Sequence, residues 1–96
     1  MNTMEINKNR IKQLQQEYRV IDDVLFVDDT VALSALMALN ELNTVDYTII
    51  TLYAEEKSYR RVATILNLSV GLIAKEINRI KANLRERMKE IEENEL

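Results

Sequence analysis

The chain has no cysteine, histidine, proline or tryptophan, and it contains a single glycine and a single phenylalanine among its 96 residues. Without cysteine and histidine there is no thiol nucleophile, disulfide, imidazole base or usual zinc site. Carboxylates are present, but their spacing shows no acid/base pair, and no glycine-rich loop could bind a phosphate. These absences predict a protein that is not an enzyme and that uses no cofactor or metal.

Long apolar segments are absent as well. A membrane span needs roughly 18 to 20 apolar residues, and the longest apolar-rich run, residues 31–42, has the length of a buried core helix. The first residues lack the apolar centre of a signal peptide. We therefore expect a cytoplasmic protein without a membrane partner, and the small size and high Asn, Ile and Lys content suit a phage or mobile-element gene.

Apolar residues recur at helical spacing along most of the chain, and few residues favour strands. This pattern predicts an all-α fold of about five helices with a long C-terminal helix. The expected helices cover residues 4–22, 30–41, 44–56, 58–66 and 70 to near the C-terminus. A hinge is expected at residues 22–29. It divides the chain into an N-terminal amphipathic helix (1–27), which is a candidate dimerisation or partner arm, and a helix-turn-helix domain (28–96).

The net charge of −3 is distributed unevenly. Residues 1–56 contain four Lys/Arg against ten Asp/Glu, whereas residues 57–89 contain nine against two. The last seven residues add four glutamates. A basic segment therefore lies between two acidic ones, which is a pattern that nucleic-acid binding can exploit but that a solvated helix surface also produces.

The basic segment also has the order of a helix-turn-helix, with a short helix, a three-residue turn and a longer helix. Ala63 is small enough for the second helix to approach closely. Leu66 and Leu68 are expected to fill the angle between the two helices, while Ile73 and Ile77 hold the second helix from behind. This geometry predicts that the exposed side of the second helix can enter the major groove of DNA.

The stretch SYRRVATILNLSVGLIAKEINRIKANLR resembles region 4, the C-terminal promoter-reading domain of the bacterial sigma-70 family. The preceding helix, with LNTVDYTIITLYAEEKSY at residues 42–59, is similar to that family as well, and the resemblance as a whole covers about residues 39–85. It implies a stand-alone DNA-binding domain that also contacts RNA polymerase. Residues 1–38 do not resemble the core-binding and promoter-melting region of a complete sigma factor.

Position on the second helix separates two groups of DNA-contact candidates. Residues opposite Ile73 and Ile77 face the groove, with Val70 and Ala74 beside the main candidates. The base-reading candidates are Leu72, Lys75, Asn78 and Arg79. Residues that flank the motif, or that cap its second helix, are better placed for phosphates. The phosphate candidates are Lys57, Arg60, Arg61, Ser69, Lys81 and Arg85.

A helix that continues beyond Leu84 needs apolar cover, because a small domain has a marginal core. Either the first helix folds back onto it, or a second copy of the chain pairs with it. The dimerisation candidates are Ile11, Leu14, Tyr18, Ile21, Leu84, Met88 and Ile91. We therefore expect double-stranded DNA, a homodimer and RNA polymerase as partners, with a protein-interaction module or a structural helical protein without DNA binding as the alternatives.

Overall fold

The computed structural model describes the backbone of residues 3–96 and the side chains of residues 8–96. Its five α-helices are α1 (Thr3–Arg19), α2 (Ala32–Glu41), α3 (Thr44–Glu56), α4 (Tyr59–Leu66) and α5 (Val70–Asn94). No strand occurs in this part of the chain, which confirms the predicted all-α fold. Within the same residues, no helix is long and apolar enough to cross a membrane.

The connection between α1 and α2 is more ordered than the sequence predicts. The chain leaves α1 through one π-helical turn, Val20–Leu25, whose four apolar side chains are all buried. Phe26 then adopts a left-handed conformation (φ 53°) that ends the turn, and Asp28 caps a short 3₁₀ segment before α2 by accepting a bond from the Thr30 N–H. Val24 and Leu25, which lie inside the expected hinge, therefore belong to the core, while the division of the chain at residue 27 stays a prediction.

The long helix α5 is covered by the chain itself. Its buried side chains recur every three or four residues from Ile73 to Ile91, and Leu84 is only 1% exposed. Helix α2 lies along it, with Ala35 and Ala38 in the same apolar core. Helix α2, which the sequence does not suggest for this role, supplies most of the cover, because its small alanines let it pack closely. Of the expected first helix, the π-helical turn that contains Ile21 contacts α5.

Polar contacts hold the N-terminal helix to the rest of the fold. Glu17 of α1 is 2% exposed, and its carboxylate accepts a 2.7 Å hydrogen bond from the Asn40 side chain at the end of α2. The Asn40 amide also donates to the Leu36 carbonyl. A buried carboxylate with a hydrogen-bond donor is tolerated where an unpaired one is costly, so this bond fixes the position of α1 against α2.

Candidate nucleic-acid interface

The turn between α4 and α5 is closed by hydrogen bonds that the local sequence supplies. Asn67 takes the left-handed conformation (φ 56°), which asparagine tolerates better than most residues. The Leu68 N–H then donates to the Ala63 carbonyl (2.9 Å), and the Asn67 N–H donates to that of Thr64 (3.3 Å). Ser69 caps α5 by accepting a 3.1 Å bond from the Leu72 N–H. The chain therefore enters α5 after a three-residue turn, as the sequence predicts.

Helix α4 is held at its N-terminal end by a cap and by a ring contact. Ser58 caps it by accepting a bond from the Arg61 N–H, and the Tyr59 ring stacks on Tyr53 of α3 with their centroids 5.0 Å apart. Leu66 is partly buried against the core, but Leu68 is 45% exposed. The prediction that Leu68 fills the angle between α4 and α5 is wrong, because it follows the residue that reverses the chain and so lies beyond the packed side of α4.

One side of α5 carries basic side chains that no acid among residues 8–96 neutralises. Its members are three or four residues apart and therefore share one side of the helix. We call this surface the open side of α5, and it consists of Lys75, Asn78, Lys81, Arg85 and Lys89. Lys81 is half-buried and the others are exposed, and none of the four cations forms an ion pair with residues 8–96.

The neighbouring side of α5, which faces α2 and α3, carries arginines that acids neutralise. We call it the paired side, and it consists of Arg79 and Arg87 with their partners. Arg87 contacts Glu41 of α2 at 2.6 Å, together with the glutamates at 90 and 95 near the end of the chain. Its hydrogen bonds lower the pKa of the Glu41 carboxyl.

Arg79 forms the more buried of the two arrangements. Its guanidinium donates two bonds, of 3.1 and 2.8 Å, to the two oxygens of Asp46 and further bonds to Glu76. The Asp46 side chain is 9% exposed, and the bonds from Arg79 lower its pKa. Asp46 is itself held at the start of α3, where its N–H donates to the Asn43 side chain. Arg79 therefore fastens α5 to the first turn of α3.

A comparison of the sequence with protein-family models identifies the family of this helix-turn-helix. The family model for sigma-70, region 4, matches residues 32–84, which is more than half of the chain. The chain belongs to the sigma-70 region 4 family. Region 4 is a DNA-binding helix-turn-helix family whose members also interact with RNA polymerase. Neither a curated protein nor a solved structure matches the chain.

Within this region 4 domain, the structure divides the base-reading candidates. Lys75 and Asn78 lie on the open side, and Leu72 is 41% exposed one turn before them. Arg79 is turned toward Asp46 and Glu76, so base contact by Arg79 would require those bonds to break. Its role as a base reader stays a prediction, and the structure adds a role in holding α5.

The phosphate candidates are divided in the same way. Lys81 and Arg85 are on the open side, and Arg60 is exposed on α4 without an ion pair to residues 8–96. The others have partners within the chain. Those pairs and caps are Lys57 with Asp23 at 3.5 Å, Arg61 with Glu56 at 2.6 Å, and Ser69 with the Leu72 N–H.

The dimerisation candidates do not form one surface. Ile11, Leu14 and Tyr18 are exposed on α1, at 55%, 36% and 41%. The remaining candidates are buried within one chain. They are Ile21, Leu84, Met88 and Ile91. Only the first three are available to a second molecule in this fold.

An apolar groove lies between α3 and the turn of the region 4 domain. It has a volume of about 310 Å³ and is lined by Thr44, Val45, Thr48, Ile49, Leu66 and Leu68. Val45 is 66% exposed at its rim. This groove is not visible in the sequence, because its residues come from two segments that helical periodicity treats separately.

Sequence reasoning also misses the importance of Asp46 and Glu41. Asp46 is recognisable only as an acid in the first turn of α3, where it favours the positive end of the helix. One signal was available, since residues 20–56 contain acids and no Lys or Arg at all. The acids of such a segment can form ion pairs only with cations from other parts of the chain, but the sequence does not show which arginines these are.

Proposed function

We propose that the chain is a sequence-specific, DNA-binding transcriptional regulator that reads the major groove with the first half of α5. One observation carries the proposal: the helix after the turn presents a stripe of cations and one amide, and no acid among residues 8–96 pairs with these cations. Asparagine can bond to both N6 and N7 of adenine, and lysine can bond to O6 and N7 of guanine. Asn78 and Lys75 are the proposed base readers, with Leu72 beside them for apolar contact.

Phosphate contacts complete this proposed interface. Arg85 lies about 15 Å along α5 from Lys75, as ten helical residues require, and Lys81 lies between them. Arg60 supplies a cation on the exposed side of α4. Because the whole chain carries a net charge of −3, these contacts should give weak binding that falls steeply with salt.

Arg79 has a different place in this proposal. Since its guanidinium holds Asp46 and Glu76, it sets the direction in which α5 leaves the core and so aims the open side. We therefore treat Arg79 as a positioning residue whose loss affects DNA binding indirectly. The first consequence of its removal should be lower stability.

A selection of binding sites from random duplex DNA tests the base readers. The chain should enrich one sequence, and the double variant Lys75→Ala/Asn78→Ala should lose preference at two or more base pairs. Asn83→Ala is a matched control, since Asn83 is exposed on the same helix outside the open side. No enrichment by the unaltered chain, or the same enriched sequence with the double variant, would contradict the proposal.

Contact with RNA polymerase is a second candidate function, and the apolar groove favours it. An exposed apolar groove of this kind suits an apolar segment of a protein partner. The variant Val45→Lys should weaken capture of the chain by purified polymerase while leaving duplex DNA affinity unchanged. Leu33→Lys is the control, because Leu33 is similarly exposed at 57% but lies on α2. Equal capture of both variants would exclude the groove as the contact with polymerase.

We also propose that two copies of the chain act together on DNA. The contacts available to one open side are few, and a second copy doubles them without any new motif. A two-fold symmetric sequence in the selection would support this arrangement. An asymmetric sequence would count against it.

A further inference from the structure

The only glycine of the chain lies in the first turn of α5, where neither the backbone nor the packing of the fold requires it. Gly71 has an ordinary negative φ. A Cβ at this position would meet no atom of another part of the described chain within 4 Å. Glycine is also among the least favourable residues inside a helix. The missing side chain therefore leaves an open space on the surface of α5 that the fold itself does not use.

This space is a notch between two exposed apolar side chains, and we call it the Gly71 notch. Successive residues of a helix are about 100° apart around its axis, so Val70 and Leu72 lie on either side of the bare Gly71 backbone. These side chains are 43% and 41% exposed. Because alanine differs from glycine by one methyl group, the space that a Cβ would fill has the size of a methyl group.

The Gly71 notch is continuous with the open side of α5. Gly71 precedes Lys75 by four residues and Asn78 by seven, so all three positions share one side of the helix. Lys75 is about 6 Å further along the helix axis. A groove that contains the side chains of Lys75 and Asn78 therefore contains the notch as well.

The sequence around the notch carries no charge. Residues 62–74 contain no Lys, Arg, Asp or Glu, although basic residues lie on both sides of this segment. A DNA phosphate placed between Val70 and Leu72 would lose hydration without a cation in the same turn. An apolar group has the opposite preference, and the C5-methyl of thymine is the apolar group that a base pair presents in the major groove. The chemistry of the notch therefore favours a base over a phosphate.

We propose that the Gly71 notch binds the C5-methyl group of a thymine, which packs against Val70 and Leu72, and that the chain thereby selects thymine at one position of its binding site. This inference rests on the proposed reading of the major groove by α5. It adds an apolar part to the specificity that Lys75 and Asn78 supply through hydrogen bonds. Gly71 contributes by lacking a side chain, because any larger residue would fill the space that the methyl group needs.

Replacement of thymine by uracil tests the contact from the side of the DNA, because it removes the methyl group and leaves the base pair intact. In the selected duplex, uracil at one thymine position should raise the Kd about 3- to 5-fold, as the loss of one methyl group from apolar cover predicts. Fluorescence anisotropy measures each single replacement. An unchanged Kd with uracil at every thymine, or a selected sequence without thymine, would overturn the proposal.

The variant Gly71→Ala tests the contact from the side of the protein, because it moves the methyl group from the base to the helix. Its Kd for the thymine duplex should be about 5-fold higher or more, since two methyl groups then compete for one space. On the duplex with uracil at the sensitive position, it should bind as tightly as the unaltered chain binds that same duplex. Equal weakening on both duplexes would indicate approach of the DNA backbone to Gly71 and would overturn the thymine contact.

Two controls separate this contact from an effect on the fold. Alanine favours a helix more than glycine does, so Gly71→Ala should unfold at the same or a higher urea concentration than the unaltered chain. A lower concentration would show that Gly71 serves the fold instead. Leu72→Ala should reduce the discrimination between thymine and uracil, whereas Leu33→Ala, which changes a side chain 57% exposed on α2, should preserve it.

The notch and the proposed function fail in different ways. No enriched sequence in the selection from random DNA would contradict both. An enriched sequence that depends on Lys75 and Asn78 but does not discriminate thymine from uracil would exclude the notch and leave the proposed function intact.

Discussion

The two sides of α5 are both basic, but they differ in what their charges do. On the paired side, Arg79 and Arg87 are neutralised by acids from α2, α3 and α5 and by Glu95 just beyond α5. On the open side, the cations meet no acid among residues 8–96. Of the nine Lys/Arg in residues 57–89, four are therefore used within the chain, namely Lys57, Arg61, Arg79 and Arg87. The number of charges in a segment therefore does not show which of them are available to a partner, whereas their ion pairing within the chain does.

The largest expected effect is on DNA affinity, when the open side loses its two proposed polar base readers. Lys75→Ala/Asn78→Ala should raise the Kd for the selected duplex by about 30-fold or more, because each lost bidentate contact is worth about 1–3 kcal/mol. Fluorescence anisotropy at fixed salt measures this. Asn83→Ala should change the Kd less than about twofold under the same conditions. Equal losses in the two variants would remove the distinction between the sides.

The next largest effect is on the stability of the fold, when the paired side loses an arginine. Arg79→Ala should lower the free energy of unfolding by about 1–3 kcal/mol, because it leaves the Asp46 carboxylate nearly buried without its two donors. Arg85→Ala, on the open side, should change it by less than about 0.5 kcal/mol. Urea denaturation measures both values. A larger loss with Arg85→Ala would contradict the assignment of structural and binding roles.

A smaller effect should appear in the stability of the folded chain at acidic pH. The pKa of Asp46 is lowered in the folded chain, so its contribution to stability is present above its ordinary value of 3.8 and is lost as the pH falls below that value. In Arg79→Ala the pKa is no longer lowered by the guanidinium, so unfolding should depend less on pH in this range. Thermal melts between pH 5 and 2 compare the two chains. Identical pH dependence would show that the pair contributes little.

Much of the fold follows from local sequence. The caps at Asn43, Ser58 and Ser69 each accept the bond expected at a helix start, and α3 and α5 begin where their caps predict. The Asn67 turn has the same local origin. The sequence also finds the open side, since Lys75 and Asn78 follow from helical spacing alone.

The rest depends on contacts between distant segments. Nothing local shows that Asp46 will meet Arg79, which is 33 residues away, or that Glu41 will meet Arg87 across 46 residues. Helical spacing alone therefore assigns Arg79 to DNA. The packing of α2 on α5 is missed for the same reason. The apolar pattern of α2 predicts that its alanines are buried, but it does not show which helix they pack against.

The salt dependence of DNA binding in two matched variants tests the central claim most directly. Arg85→Ala and Arg87→Ala remove the same side chain two residues apart, one from each side of α5. We expect Arg85→Ala to reduce the slope of log Kd against log salt by about 1, as loss of one phosphate contact requires, and Arg87→Ala to leave it unchanged. A reduced slope for Arg87→Ala together with an unchanged slope for Arg85→Ala would contradict the account.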